Sequence, residues 1–235
     1  TALQTIQPNV VINCIGIIKQ LPLAEDPIST IEINSLFPHR LAKICEVSGI
    51  RLIHLSTDCV FSGNKGVYTE DDSPDPEDLY GKTKLLGEVS KSGSITLRTS
   101  IIGRELKGQS GLLEWFLAQQ ERKVQGYVNA IFSGFTTLAL AQVLRDLIDS
   151  SQQISGIHHV SSEPISKYDL LLRLRAVFGL RIEIDPYESY HCDRSLDSSK
   201  FRSLTSFVPP TWDHMLEELA KDNESYQQWR QDIGS

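Results

Sequence analysis

Two side chains that can take part in proton transfer lie four residues apart in the segment Tyr80-Gly-Lys-Thr-Lys84. If this segment is helical, positions i and i+4 share one face, so the phenol of Tyr80 and the ammonium of Lys84 point the same way. A free phenol has a pKa near ~10 and releases its proton too rarely at neutral pH to act in catalysis. A neighbouring ammonium favours the phenolate, so we expect Lys84 to lower the pKa of Tyr80 and make it a general acid or base.

A hydroxyl group with complementary chemistry precedes this pair. The run Arg51-Leu-Ile-His-Leu-Ser56 predicts a buried strand, and this strand ends in Thr57 and Asp58. The Thr57 hydroxyl can donate a hydrogen bond to the carbonyl oxygen that Tyr80 protonates, with Ser56 as the alternative hydroxyl. Asp58 can assist through substrate hydroxyls or close an Asx turn. Because open α/β sheets bind ligands at the carboxyl ends of their strands, these residues predict an active site.

The elements that must position these groups alternate between strand and helix. Apolar runs predict strands over residues 10–16, 51–56 and 95–100, and amphipathic patterns predict helices over residues 28–48 and 79–91. This order is typical of a parallel α/β sheet. The later half predicts helices over residues 111–122, 136–150, 165–178, 197–202 and 213–220, with strands over 156–160 and 182–184.

No glycine-rich turn of the form Gly-x-Gly-x-x-Gly or Gly-x-x-Gly-x-x-Gly occurs in the sequence. Dinucleotide-binding sheets usually begin with a strand, such a turn and a helix, which together seat the pyrophosphate. We therefore expect an N-terminally truncated Rossmann-like domain over residues 1–128, without roughly the first 60 residues of the usual fold. Residues 129–235 are expected to form a smaller, mixed α/β lobe for the substrate, with elements of the two parts interleaved.

The composition argues against several classes of protein. The net charge of −7 disfavours a nucleic-acid-binding protein, which needs clustered Lys and Arg. No segment is long and apolar enough for a membrane span, and residues 1–11 lack the features of a signal peptide. The four cysteines show no paired metal-ligand spacing, so no metal site is predicted and a reduced, cytoplasmic protein is expected. They are Cys14, Cys45, Cys59 and Cys192.

The segment Ser56-Thr-Asp-Cys-Val-Phe61, followed by Tyr80-Gly-Lys-Thr-Lys-Leu-Leu-Gly-Glu88, resembles the extended short-chain dehydrogenase/reductase family. Within that family it is most similar to the dTDP-4-dehydrorhamnose reductase branch, and the resemblance extends over nearly the whole chain. It implies NAD(P)H-dependent reduction of a nucleotide-linked 4-keto-6-deoxy sugar in polysaccharide biosynthesis. The implied cofactor is NADP or NAD, the implied partner is the nucleotide sugar, and a homodimer is left open.

The resemblance also implies roles for individual residues. Thr57 would polarise the carbonyl, Tyr80 would protonate the new alkoxide, and Lys84 would bind the nicotinamide ribose besides tuning Tyr80. The implied cofactor-binding residues are Asn13, Cys14, Ile15, Gly16, Ser56, Tyr80, Lys84 and Thr99, although Cys14 and Ile15 depart from the family's usual small residues. The implied substrate-binding residues are Asp58, Cys59, Ser100, Ile101 and Arg194. Arg194 can meet a substrate diphosphate, or it can form a surface ion pair.

Cys59 distinguishes among the reactions of the family. Sugar-nucleotide 4,6-dehydratases carry Asp-Glu after the threonine, whereas this chain has Asp58-Cys59. Dehydration is therefore disfavoured, and reduction or epimerisation remains. A third interpretation is a non-catalytic, nucleotide-binding regulatory subunit, because some relatives of this branch regulate a partner enzyme. The sequence leaves open whether this chain is active on its own.

Overall fold

The computed structural model describes residues 2–91, 93–150, 152 and 154–234. The strands, in chain order, are β1 (Val10–Asn13), β2 (Arg51–Leu55), β3 (Ser94–Arg98), β4 (Ile101–Ile102), β5 (Lys123–Phe132), β6 (Phe135–Thr136), β7 (Gly156–His159), β8 (Ile165–Ser166) and β9 (Glu183–Asp193). The α-helices are α1 (Ala2–Ile6), α2 (Pro27–Thr30), α3 (Phe37–Val47), α4 (Leu79–Leu86), α5 (Leu112–Leu117), α6 (Thr137–Asp149), α7 (Lys167–Val177), α8 (Ser199–Thr205), α9 (Trp212–Lys221) and α10 (Asn223–Gly234). None of the described helices is long and apolar enough to cross a membrane.

Four parallel strands form the central sheet in the order β1–β2–β3–β7. Ile12 is in register with Ile53, Ile53 with Ile95, and Leu97 with His158. Every residue of β3 is buried, because helices and loops cover both faces of the sheet at its centre. The predicted Rossmann-like α/β fold is confirmed, and β7 joins the sheet from the second half of the chain.

The helix predicted over residues 28–48 is interrupted by a π-helical turn, Ile31–Leu36, which separates α2 from α3. This turn buries the polar side chains of Asn34 and Ser35 against α4. The approach is so close that a Cβ at Gly87 would lie 1.9 Å from the Asn34 carbonyl oxygen. Only glycine allows the backbone after α4 to contact the π-helical turn at this distance.

A second sheet of three strands, in the order β8–β5–β9, was largely missed by sequence reasoning. No strand was predicted over Lys123–Phe132, and only residues 182–184 were expected to be extended where β9 runs through Asp193. The helix predicted over residues 111–122 ends at Leu117, where the chain leaves for β5. Much of β9 is exposed, so it lacks the continuous apolar run by which buried parallel strands are recognised.

One continuous apolar core joins the two larger sheets. It includes Ile53 and Leu97 from the central sheet, Phe132 from β5, and Leu170 and Met215 from the helices that cover them. Because large side chains from both halves of the chain share this core, the two sheets are held in a fixed relation. The boundary near residue 128 stays a prediction.

Candidate active site

The Thr57 hydroxyl lies near enough to the Tyr80 phenol, across the polar loop that separates β2 from α4, to oppose the rise in the phenol pKa that burial causes. Thr57 is buried and extended, and its Oγ1 accepts a 3.1 Å hydrogen bond from the Cys59 amide. The same hydroxyl lies 3.2 Å from the Asp58 carboxylate, to which it can donate. The structure therefore brings together the first two of the three predicted catalytic groups.

Two contacts at the beginning of α4 position Tyr80 near Thr57. Asp78 is the N-cap of this helix, and its carboxylate accepts a 2.7 Å hydrogen bond from the Gly81 amide. A Cβ at Gly81 would lie 2.3 Å from the Cys59 carbonyl oxygen. Glycine at this position lets the helix pack directly against the turn that follows Thr57.

Lys84, the third predicted catalytic residue, is buried one turn further along α4. Its ammonium donates a 2.7 Å hydrogen bond to the carbonyl oxygen of Leu55, at the end of β2. Burial lowers the pKa of Lys84 to about 8, although the Glu88 carboxylate acts in the opposite direction. An ammonium has three donors, so two remain for hydroxyl or carbonyl groups of a ligand.

The electrostatics of Tyr80 differ from the expectation. Burial raises the pKa of Tyr80, and the neighbouring Cys59 and Asp58 add to that shift, while the Thr57 hydroxyl opposes it. Lys84 is not among the groups that perturb the phenol. The predicted lowering of this pKa by Lys84 is therefore wrong for the structure described, in which the lysine is directed at the strand end. A phenol in this environment stays protonated at neutral pH and can serve as an acid.

The predicted cofactor segment, residues 13–16, follows β1 at the same edge of the sheet. The Asn13 side chain is buried, and its amide lies 3.0 Å from His54 Nδ1 while its oxygen accepts a hydrogen bond from the Ile15 amide. Ile15 and Gly16 are exposed. A Cβ at Gly16 would lie 3.8 Å from Lys84 Nζ, so this segment borders Lys84.

Asn34 is a site residue that sequence reasoning missed, because it was interpreted only as part of a helical pattern. Its side-chain oxygen accepts a 2.8 Å hydrogen bond from the Ile17 amide, and its amide group donates to the Ile17 carbonyl at 3.0 Å. A third contact reaches the Thr83 hydroxyl at 3.4 Å. Asn34 thus ties the loop after β1 to α4. Its signal in the sequence is an amide at a position that the helical pattern places on the buried side.

A buried ion pair lies beneath the catalytic groups. The guanidinium of Arg98 donates two hydrogen bonds of 2.8 Å to the Glu88 carboxylate, and both side chains are almost fully buried. Glu88 also accepts a 2.7 Å hydrogen bond from the Ser56 hydroxyl. Ser56 therefore serves the scaffold with its side chain, and Thr57 is the hydroxyl that faces Tyr80. The role of Ser56 in cofactor binding stays a prediction.

The predicted substrate residues lie around the same strand ends. The Cys59 thiol is 3.7 Å from the guanidinium of Arg194, which also donates a 2.8 Å hydrogen bond to the Phe61 carbonyl. Burial raises the pKa of Cys59 to about 12, so this thiol is neutral. Thr99 is buried, its carbonyl accepts the Asp58 amide, and Ser100 and Ile101 follow with greater exposure. The roles of Asp58, Cys59, Ser100, Ile101 and Arg194 in substrate binding stay predictions.

A cavity of about 700 Å³ lies between α6, α8 and α9. Its described lining residues do not include Thr57, Tyr80 or Lys84. We place the candidate site at those polar groups rather than at the cavity, because burial shifts the pKa values of both Tyr80 and Lys84 there. Within the part of the chain that the structure describes, no three His, Cys, Asp or Glu residues are grouped as metal ligands.

Comparison with protein families identifies one matching model, described as the RmlD substrate binding domain, over residues 1–225. The chain is 30% identical over 190 residues to methionine adenosyltransferase 2 subunit beta of Danio rerio, covering 76% of this chain and 58% of that protein. It is 28% identical over 182 residues to dTDP-4-dehydrorhamnose reductase of Mycolicibacterium smegmatis, covering 72% and 53%. The chain thus spans a little over half the length of these curated relatives.

Solved structures share the same fold. A hypothetical dTDP-4-dehydrorhamnose reductase from Sulfolobus tokodaii matches with a TM-score of 0.78 and 27% identity, covering 90% of this chain and 79% of that one. The dTDP-4-dehydrorhamnose reductase of Bacillus anthracis, solved in complex with NADP, matches with a TM-score of 0.82 and 20% identity, covering 94% and 83%. At 20% identity the second likeness supports the fold alone.

Proposed function

The chain belongs to the RmlD substrate binding domain family, within the extended short-chain dehydrogenases/reductases, and from this premise we propose an activity for it. We propose that it carries the proton-transfer site of an NAD(P)H-dependent reductase for a nucleotide-linked 4-keto-6-deoxy sugar. The single observation that carries this proposal is that the Thr57 hydroxyl acts on the Tyr80 phenol, while the buried Lys84, one turn further along α4, donates to the end of the strand that leads into Thr57.

The proposed reaction uses these three side chains in sequence. The substrate carbonyl oxygen accepts hydrogen bonds from Thr57 and Tyr80, which polarise the carbon–oxygen bond. When the carbonyl is reduced, its oxygen takes the phenolic proton of Tyr80. A proton from solvent then restores the phenol, while Lys84, held by the Leu55 carbonyl, would bind the ribose hydroxyls of the cofactor. The ketone is reduced to an alcohol, and the raised pKa of Tyr80 suits this role as an acid.

The residues present fit the nicotinamide end of the cofactor. When bound, NADH or NADPH supplies the hydride. Lys84 has two unused donors for ribose hydroxyls, and the missing side chain of Gly16 leaves room beside that ammonium. Asn13, Cys14 and Ile15 would line the same end, with Ser56 and Thr99 behind it. The sequence contains no glycine-rich turn for the pyrophosphate, so the fit concerns the nicotinamide riboside alone.

The residue after Asp58 supports reduction over dehydration. Elimination of water needs an additional acid or base, but the Cys59 thiol has a pKa of about 12 and stays neutral near pH 7. In this proposal Asp58 and Cys59 contact the sugar, with Ser100 and Ile101 on the opposite side. Arg194, whose guanidinium is fixed by the Phe61 carbonyl, binds the diphosphate.

The test is oxidation of NADH and NADPH by the full-length protein in the presence of dTDP-4-dehydrorhamnose. We expect turnover that Tyr80→Phe reduces by about 10²-fold or more, because the phenolic proton is lost. Tyr226→Phe, on α10, is the matched control and should leave the rate unchanged. Equal rates for Tyr80→Phe and the unmodified protein would refute the assigned role. An epimerised sugar formed without net oxidation of cofactor would favour an epimerase instead.

A second candidate function is that of a non-catalytic regulatory subunit. The observation that favours it is the 30% identity to methionine adenosyltransferase 2 subunit beta, over 76% of this chain. In that case the fold would bind a nucleotide and a catalytic partner without reducing a substrate. Co-purification with a methionine adenosyltransferase, together with a changed activity of that enzyme and no oxidation of NAD(P)H, would support this function. A Tyr80→Phe variant should then regulate normally.

A further inference from the structure

Lys167 and Arg194 lie on opposite sides of the end of β5, the central strand of the second sheet. Ile131 of β5 is in register with Ser166 of β8 on one side and with Asp193 of β9 on the other. Lys167 and Arg194 are the next residues along the chain. Adjacent strands lie about 4.8 Å apart, so β8 and β9 are separated by roughly 10 Å, a gap that two long side chains can span.

The two basic side chains act in the same neighbourhood. Lys167 is the first residue of α7, directly after β8, and its ammonium lies 4.6 Å from the centre of the Phe132 ring at the end of β5. Arg194 directly follows β9, and its guanidinium contacts the Phe61 carbonyl and the Cys59 thiol. Asp58 and Cys59 act electrostatically on both basic groups, so the ammonium and the guanidinium lie around the same part of the site.

Neither cation forms a direct ion pair with a described residue, although the charge of Asp58 acts on both. Among the described residues, Lys167 forms no ion pair, and its only direct polar contact is the ring of Phe132. Arg194 uses Nε on the Phe61 carbonyl and Nη1 on the Cys59 thiol, which leaves other N–H donors of its fork free. Burial lowers the pKa of Lys167, while the charge of Asp58 raises it, so this ammonium lies within electrostatic reach of the catalytic loop.

This arrangement suits an anion with more than one charged group. A guanidinium offers planar, paired donors and an ammonium offers a point charge, and the two together match the adjacent phosphates of a diphosphate. The chain as a whole carries a net charge of −7, so two half-buried cations without a direct ion pair in one neighbourhood are a local feature. A half-buried ammonium with no counter-ion is also poorly solvated, and binding of an anion relieves this cost.

We infer that Lys167 and Arg194 form a two-cation clamp for the diphosphate of a nucleotide-linked substrate, with Lys167 as a residue that determines specificity for it. This inference rests on the proposed function for the identity of the ligand. It assigns a binding role to Lys167, a residue that neither the motifs nor the catalytic geometry identified. The competing explanation is that Lys167 only packs over Phe132.

Calorimetric titration of the full-length protein with dTDP, dTMP and thymidine separates these roles, because it needs neither a sugar nor NAD(P)H. We expect Lys167→Met, which keeps the packing over Phe132 but removes the charge, to weaken dTDP binding by about 10-fold to 100-fold. The loss should be smaller for dTMP and absent for thymidine. Lys167→Arg should restore dTDP affinity to within a few-fold, and Arg194→Met should weaken it as Lys167→Met does.

Lys43→Met, which removes an exposed lysine of α3, is the matched control and should bind dTDP normally. Unchanged dTDP affinity in Lys167→Met, or no dTDP binding by the unmodified protein, would overturn the clamp. If dTDP binding depends on Lys167 while no 4-keto sugar is reduced, the clamp stands and the proposed reductase falls. If reduction proceeds and Lys167→Met binds dTDP normally, the reductase stands and the clamp falls.

Discussion

The ammonium of Lys84 and the carbonyl oxygen of Leu55 are joined by a 2.7 Å hydrogen bond, which ties the catalytic helix to the strand leading into Thr57. Both groups are inside the protein, so the contact fixes the distance between the two elements. The same lysine has a pKa lowered by burial to about 8. Lys84 therefore has a positioning role and an electrostatic role, and each can be tested separately.

The first prediction concerns the pH dependence of turnover. We expect kcat/KM to fall as pH rises through about 8, because Lys84 loses its proton there while the buried phenol of Tyr80 stays protonated. Lys84→Arg, which stays charged, should move this fall to higher pH. Lys84→Met should lower kcat/KM by about 10²-fold and remove the fall. The exposed Lys82→Met is the control, and a fall near pH 8 that persists in Lys84→Met would assign it to another group.

The second prediction concerns the Thr57 hydroxyl. Thr57→Val keeps the shape of the side chain but removes the donor to the substrate carbonyl, so we expect kcat to fall by about 10²–10³-fold with little change in KM. Thr57→Ser keeps the hydroxyl and should stay within about 10-fold of the unmodified protein. Steady-state kinetics measure kcat and KM for the unmodified protein, Thr57→Val and Thr57→Ser. A valine variant as active as the serine variant would remove Thr57 from the reaction.

The third prediction concerns the buried pair of Glu88 and Arg98. Removing one charge leaves the other uncompensated in the interior, so Glu88→Gln should lower the free energy of unfolding by about 3–5 kcal/mol. Glu183→Gln, in the exposed pair with Lys123, should cost less than about 1 kcal/mol. Urea denaturation measures both. The double variant Glu88→Leu/Arg98→Met should lose less than the sum of the two single changes. Equal costs for Glu88→Gln and Glu183→Gln would contradict the importance of this pair.

The fourth prediction concerns stability in acid. His54 is fully buried, its Nδ1 is paired with the Asn13 amide, and burial lowers its pKa to about 3. Between that value and about 6.5 the unfolded chain binds a proton at this imidazole that the folded chain does not, so stability declines as pH falls. Each unit of the pKa difference is worth about 1.4 kcal/mol, which makes the loss a few kcal/mol.

His54→Gln should make the slope of unfolding free energy against pH shallower between about 6.5 and 4, because one titrating group is removed. His191→Gln, on the exposed part of β9, should leave that slope unchanged. Urea unfolding at a series of pH values measures both slopes. Identical slopes for His54→Gln and the unmodified protein would show that His54 does not contribute.

The central sheet and the catalytic helix could be predicted because their signals are local. Buried parallel strands appear as short apolar runs, and the N-cap aspartate before the Tyr/Lys segment is visible in the sequence. Thr57 and Tyr80 could be paired because the loop between them joins a strand end to a helix start. The direction of Lys84 could not be foreseen, because the acceptor that captures it is a backbone carbonyl, a group that every residue carries.

The second sheet and its chemistry could not be predicted for the opposite reason. β5 and β9 pair across about 60 residues of chain, and the register that places Lys167 opposite Arg194 depends on that pairing. Pro186 and the exposed residues of β9 hide its extended conformation from pattern reasoning. The π-helical turn at Asn34 is equally invisible, since it differs from an ordinary helix by a single added residue.

The Glu88–Arg98 pair has a consequence for how such a protein can diversify. Glu88, which follows α4, accepts hydrogen bonds from Arg98 at the end of β3 and from Ser56 after β2. The ends of α4, β2 and β3 are therefore held together as one block. If the chain is the proposed reductase, a change of sugar preference that shifted this block would misalign the Tyr80 phenol. Side chains on β5, β8 and β9 are not part of this block. Their replacement would therefore change substrate preference without moving the block.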